Sequence, residues 1–94
     1  MSDKSLELFK ALADATRQEI LSILEEHERN VNEICHAFEN MTQPTISHHL
    51  QILKHCEVVS CERKGKMIYY SINKKTLRNG FEEFIERLHI QILE

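Results

Sequence analysis

Gln43, Ser47 and His48 lie within six positions of one another in the stretch TQPTISHHLQILKH, Thr42 to His55. Side chains of these types hydrogen-bond to flat edges that carry both donors and acceptors. A glutamine amide pairs bidentately with adenine, a serine hydroxyl serves in either role, and a histidine donates or accepts according to its tautomer. That chemistry reads base pairs; it transforms no substrate. Thr45 and Gln51 can add phosphate or base contacts, and Lys54 adds charge near the end of the stretch. Farther along, Arg63, Lys64 and Lys66 surround Gly65 as RKGK, a short cationic tip suited to phosphates or to a neighbouring minor groove. Such contacts set register and weaken as salt rises.

These side chains need a helix and a hairpin to hold them. Ile46, Leu50 and Leu53 fall at i, i+4 and i+7 on one face of the first stretch, opposite the polar readers, and His49 turns toward the core side as a structural histidine. Thr42 is suited to the N-cap and Pro44 to the first turn, so the helix is predicted to begin at about Gln43. Before it, Asn30 and Glu33 have the spacing of a capping box, and Val31, Ile34, Cys35 and Phe38 fit one apolar stripe. The link from Glu39 to Met41 is short, which predicts two helices joined at a steep angle. Val58–Arg63 and Met67–Ile72 read as strands flanking a tight turn.

The remaining segments read as scaffold. Ser5 to Leu12 is a short helix with Leu6, Leu8, Phe9 and Leu12 apolar. Asp14 caps a second, ATRQEILSILEE, whose core face is Ile20, Leu21, Ile23 and Leu24. Glu25, Glu26 and Glu28 around His27 read as solvated surface. Asn73 caps a last helix on which Leu77, Phe81, Phe84, Ile85, Leu88 and Ile92 form a stripe running almost to the final residue. Leu6, Phe9, Phe81, Phe84, Ile85, Leu88 and Ile92 exceed what a small core can cover, which predicts a homodimer built from the first and last helices. The expected class is mainly α with a β-hairpin wing, in the order α-α-α-α-β-β-α, a winged helix-turn-helix filling residues 1–94 as one domain.

Composition agrees with a DNA-reading role once it is resolved along the chain. The 94 residues carry a net charge of −3. Residues 1–40 hold 4 basic and 9 acidic groups, residues 41–75 hold 6 and 2, and residues 76–94 hold 2 and 4. The middle third is therefore positive between acidic ends, and local field rather than net charge governs docking. No apolar run approaches 18 residues and the N-terminus lacks a signal peptide's apolar region, so a cytoplasmic location and no membrane partner are expected. Three cysteines, Cys35, Cys56 and Cys61, match neither a disulfide framework nor a zinc knuckle. No nucleophile, acid–base and oxyanion set is present, so an enzyme is not expected.

Taken together, KALADATRQEIL, NEICHAF, TQPTISHHLQIL and ERKGKMIYYSIN closely resemble the ArsR/SmtB family of bacterial and archaeal transcriptional repressors. The resemblance covers about residues 6–73, with Ala15 standing where the family often has proline. It implies a homodimeric repressor that binds double-stranded DNA at an imperfect palindrome. Effector sites of the family are not matched here. Its soft-metal sensors carry Cys-x-Cys on the third helix, where this chain has Cys35 and Ala37; its zinc and nickel sensors use the last helix, where Thr76, Arg78 and Ile92 replace ligands. The expected protein is thus a repressor with no metal site and no cofactor, similar to the small autorepressor branch and controlled by its own concentration or by a regulatory protein. A thiol- or metal-responsive repressor using Cys35, Cys56 or Cys61 is the alternative, and a winged helix turned protein-interaction module is the alternative of another class.

Overall fold

A computed structural model describes residues 3–91 of the chain. The elements are α1 (Asp3–Leu12), α2 (Ala15–Glu26), β1 (Arg29–Asn30), α3 (Val31–Cys35), α4 (Gln43–His55), β2 (Val59–Lys64), β3 (Met67–Ile72) and α5 (Lys74–Arg87). The expected order holds, with one addition. The two-residue strand β1 pairs antiparallel with β3, Arg29 opposite Tyr70 and Asn30 opposite Tyr69, so the sheet has three strands in the order β1-β3-β2. A strand this short has no periodicity to read; tertiary pairing alone creates it.

The core is built where α2, α3 and α4 meet the root of the hairpin. Ile20, Ile34, Ile46, Leu50, Leu53 and Val58 are all fully buried. Leu8 and Ala11 bring α1 onto the same cluster. Each of the predicted caps is present. The Asp14 carboxylate accepts from the Arg17 N–H, the Thr42 hydroxyl from the Thr45 N–H, and the Asn73 side chain from the Thr76 N–H. Asn30 and Glu33 form the full reciprocal capping box.

The helix α3 is shorter than the apolar stripe suggests. It ends at Cys35, and the N–H groups of Ala37 and Phe38 bond instead to the carbonyls three residues back, both at 3.0 Å. This tightening to a 3₁₀ turn still lays Phe38 against the core. The helix α4 closes on a Schellman motif: the Val58 N–H reaches the Leu53 carbonyl at 3.0 Å and the Glu57 N–H the Lys54 carbonyl at 3.0 Å. Glu57 sits at φ 64 in the left-handed position that glycine usually fills. Leu53 and Val58, the apolar pair that accompanies this motif, are both fully buried and hold it there.

The last helix corrects the sequence reading. It stops at Arg87 instead of continuing to the chain end, because a second Schellman motif intervenes with His89 at φ 56 and the Ile90 N–H bonded to the Ile85 carbonyl at 3.1 Å. An apolar stripe records spacing, and the stripe of this segment continues past the point where the backbone leaves the helix. Ile92 lies outside the described residues. Gly80, the one buried residue of α5, lies against α1: a Cβ there would overlap the Leu8 side chain.

Candidate nucleic-acid interface

The exposed face of α4 separates two grooves. On the wing side, Gln43, Ser47 and Gln51 form one wall, and Lys66, Met67, Ile68 and Tyr70 form the other, with Asn30, Val31 and Asn32 at the end. On the opposite side, His48, Gln51, Ile52 and His55 of α4 face Glu7, Lys10 and Ala11 of α1, with Arg17 and Cys56 completing the lining. The three expected base readers are therefore divided. Gln43 and Ser47 share the wing-side groove, and His48 borders the other. The reason is the helical rotation of about 100° per residue, which sets His48 a quarter turn from Ser47.

Thr45 and Lys54 are also exposed, at the start and the last turn of α4. The Thr45 hydroxyl lies 3.0 Å from that of Thr42, so it supports the cap. Of the wing cations, Lys66 lines the groove and Arg63 donates from Nε to the Gly65 carbonyl at 3.2 Å, across the turn. Gly65 has φ 64 and precedes Lys66 in a two-residue loop, the positive-φ first position of a II′ hairpin turn. Lys64 is engaged: its ammonium pairs with Glu28 and stands 5.5 Å from the centre of the Tyr69 ring. The Glu28 hydrogen bond holds the Lys64 pKa above its ordinary value.

That pair adds detail to the reading of Glu25, Glu26 and Glu28 as solvated surface: Glu25 and Glu26 are exposed, and each of the three carries an ion pair. Glu25 pairs with Lys74 at 3.5 Å, Glu26 with Arg29 at 2.5 Å, and Glu28 with Lys64. Glu28 thus reaches the hairpin beside its turn, Glu26 pairs onto β1 and Glu25 onto the start of α5. The Glu26–Arg29 pair is local, three positions apart, whereas Glu28–Lys64 and Glu25–Lys74 are 36 and 49 positions apart and meet only through the fold.

His49 behaves as the sequence predicts. Its side chain is 15% exposed, lies 3.9 Å from the Asp14 carboxylate and receives Arg17 at Nδ1, 3.2 Å away. Because a guanidinium only donates, Nδ1 is the acceptor and the ring proton sits on Nε2. Arg17, read from sequence only as part of a scaffold helix, is the hub here. It also donates from Nε to the Ala11 carbonyl at 2.5 Å and from its other amino group to the Lys10 carbonyl at 3.4 Å. It thus closes the C-terminal end of α1 while bracing the reading helix.

The thiols are set for packing. Cys35 and Cys56 lie against the core, burial raises the pKa of both, and the Cys56 thiol donates to the Leu53 carbonyl at 3.5 Å. Cys61 stands on β2 opposite Tyr70. All three are free thiols.

The family profile described as bacterial regulatory protein, arsR family, matches residues 14–60, which run from the cap of α2 through α3 and α4 into β2. The Bacillus subtilis transcriptional repressor SdpR is 46% identical over 73 residues, a match covering 78% of this chain and 80% of that protein. The chain belongs to the ArsR family. Members of the family are DNA-binding transcription regulators, not enzymes, and the solved ArsR-like structures share this fold. An ArsR-like regulator from Rhodococcus superposes with a TM-score of 0.79 at 26% identity, over 92% of this chain and 79% of that one. The homodimeric winged helix-turn-helix DNA-binding domain of a Mycobacterium bovis regulator superposes with a TM-score of 0.74 at 30% identity, over 98% of this chain and 89% of that one. In this ArsR-family chain the matched segment contains α3, α4 and their turn, so it supplies the polar wall of the wing-side groove, while Lys66, Met67, Ile68 and Tyr70 of the other wall lie beyond it.

Proposed function

We propose that this protein is a homodimeric, sequence-specific transcriptional repressor that controls its own synthesis and carries no metal site. The observation that carries this reading is the groove between α4 and the wing. It is open, it is walled by Gln43 and Ser47, and Lys66 stands at its rim. The helix enters the major groove with these side chains at base edges, while His48 approaches from the α1 side. Lys54, Arg63, Lys64 and Lys66 supply phosphate contacts. The repressor role rests on the likeness to SdpR.

Self-association is supported by two observations. Leu6, Phe81 and Leu88 are 42%, 44% and 52% exposed on α1 and α5, beside the half-buried Phe9, Phe84 and Ile85. The Mycobacterium bovis domain with the same fold is a homodimer. Two copies related by a two-fold axis bind an imperfect palindrome whose half-sites are centred about 10 base pairs apart. The donor arrangement favours the reading without metal: among the described residues, no group of three or more His, Cys, Asp or Glu is placed to hold an ion. Burial keeps Cys35 and Cys56 protonated, which slows both metal capture and oxidation.

The test is fluorescence anisotropy with the DNA upstream of the protein's own coding sequence, and random DNA as control, with and without zinc, arsenite and diamide. The expected result is binding at least about 10³-fold tighter than to random DNA and indifferent to all three additives. Release by an additive would replace this reading with an effector-controlled repressor acting through Cys35, Cys56 or Cys61. Equal binding to both DNAs would favour an interaction module.

A further inference from the structure

The geometry points to Gln51 as a base-reading residue, the second of a glutamine pair with Gln43, so that each half-site holds two A·T pairs set about two to four base pairs apart. This rests on the DNA-reading function proposed above and adds a specificity determinant to it. From sequence alone Gln51 is placed with the phosphate or base contacts of the helix and is given no base of its own. Three structural observations move it.

The first is position. Gln51 is the one residue of α4 that lines both grooves, the wing-side groove with Gln43 and Ser47 and the α1-side groove with His48 and His55. A side chain shared by the two flanks stands on the crest between them. A helix in the major groove enters with its N-terminal residues at base edges, the place of Gln43 and Ser47, and farther along it is the residues on the crest that stay within reach of the bases.

The second is hydrogen bonding. Polar groups near the reading helix that serve the fold are engaged: His49 with Arg17, and Thr45 with Thr42. The amide of Gln51, like those of Gln43 and Asn32, makes no hydrogen bond to another described residue. It is exposed, so water satisfies it in the free protein, and its donor and acceptor are both available to a partner.

The third is spacing. Gln43 and Gln51 are eight residues apart, about 12 Å along the helix, and 80° apart around it. At 3.4 Å per base step, 12 Å spans at most three to four base pairs, and about two where the helix follows the inclined groove. The Gln side chain matches adenine N6 and N7 bidentately, whereas the neutral amide adds nothing to the charge that Lys66 and Arg63 already bring to the phosphates. The crest position, the free amide and the spacing together make Gln51 the reader of a second adenine, with Ser47 over the pairs between.

The experiment is selection of binding sites from a random duplex pool by the full-length wild type, Gln43→Ala, Gln51→Ala and Gln51→Glu, followed by affinity measurement on every single-base variant of the selected site. Wild type is expected to select adenine at two positions about two to four pairs apart in each half-site. Gln51→Ala should lose about five- to 150-fold discrimination at one of them, Gln43→Ala at the other. Gln51→Glu should shift the first preference toward cytosine, whose N4 amino group donates to a carboxylate; a backbone contact cannot produce that shift. Since Gln51 is exposed, thermal unfolding of both variants should match wild type. Preferences left intact in both Gln51 variants, with affinity either unchanged or reduced equally on all sequences, would overturn the assignment of Gln51 and leave the repressor reading standing. Failure of the wild type to enrich any sequence would overturn both.

Discussion

Arg17 joins three helices through one side chain. Its backbone N–H donates to Asp14, its guanidinium takes the end carbonyls of α1, and its remaining amino group fixes His49 on α4. The Asp14 carboxylate is held below its ordinary pKa first by that Arg17 N–H, which with the Arg17 charge outweighs the desolvation that raises it. A depressed carboxylate stabilises the fold at pH values above the unfolded pKa of about 4, and this contribution disappears as pH falls through the lower folded value. Asp14→Ala is expected to cost about 0.5–2 kcal/mol at pH 7 by loss of the cap, and Asp14→Asn much less. Urea unfolding between pH 6 and 2.5 checks the charge separately: wild type should lose more stability than Asp14→Asn across the acid range. Parallel curves would mean that the carboxylate acts only as a hydrogen-bond acceptor.

Among elements, the wing is the one held by a contact that DNA must replace. Lys64 is paired with Glu28, while its role in the proposed complex is to meet a phosphate. Glu28→Gln keeps the side-chain size and removes the competing charge, so it should tighten binding to every sequence alike, by about two- to fivefold, the worth of an exposed ion pair. Anisotropy titrations at two or three salt concentrations measure this, and the gain should be absent in a Lys64→Ala background. A gain confined to the selected site would place Glu28 in base recognition instead. The reading helix needs no such release: Thr42 starts it, Pro44 fits its first turn, and Glu57 ends it.

At the scale of the whole molecule, α1 and α5 form one apolar surface. Phe9 packs on Phe81 and Phe84 with ring centroids 5.5 and 5.2 Å apart, and Gly80 allows Leu8 to approach α5 closely. Ser5 adds a hydrogen bond to Glu83 at 2.7 Å. The outer side of this pair presents Leu6, Phe81 and Leu88. Leu6→Lys with Phe81→Lys should therefore convert a dimer to monomer in sedimentation velocity, with circular dichroism close to wild type. Affinity for the palindrome should fall at least about 100-fold, because the second half-site is no longer bound as an intramolecular event. A double variant that remains dimeric would move the interface away from α1 and α5.

What the sequence determined by itself was everything carried by local chemistry. The caps at Asp14, Asn30, Thr42 and Asn73, the core face of α4, the glycine turn of the wing and the structural role of His49 are set by side chains within a few positions of one another, or by helical spacing. The family was legible for the same reason, since its pattern is concentrated in one continuous segment. Tertiary structure decided what depends on distant residues meeting. It paired Arg29 with Tyr70 to make a third strand, bound Lys64 to Glu28, joined Arg17 to His49, and divided the polar face of α4 between two grooves so that Gln51 stands on the crest. The structure also shows α5 ending at Arg87, where the apolar spacing continues but the backbone turns. The end of α5 is local to its own Schellman motif but has no signature in the apolar spacing; the others are fixed by packing of elements whose relative placement is set by the shared core.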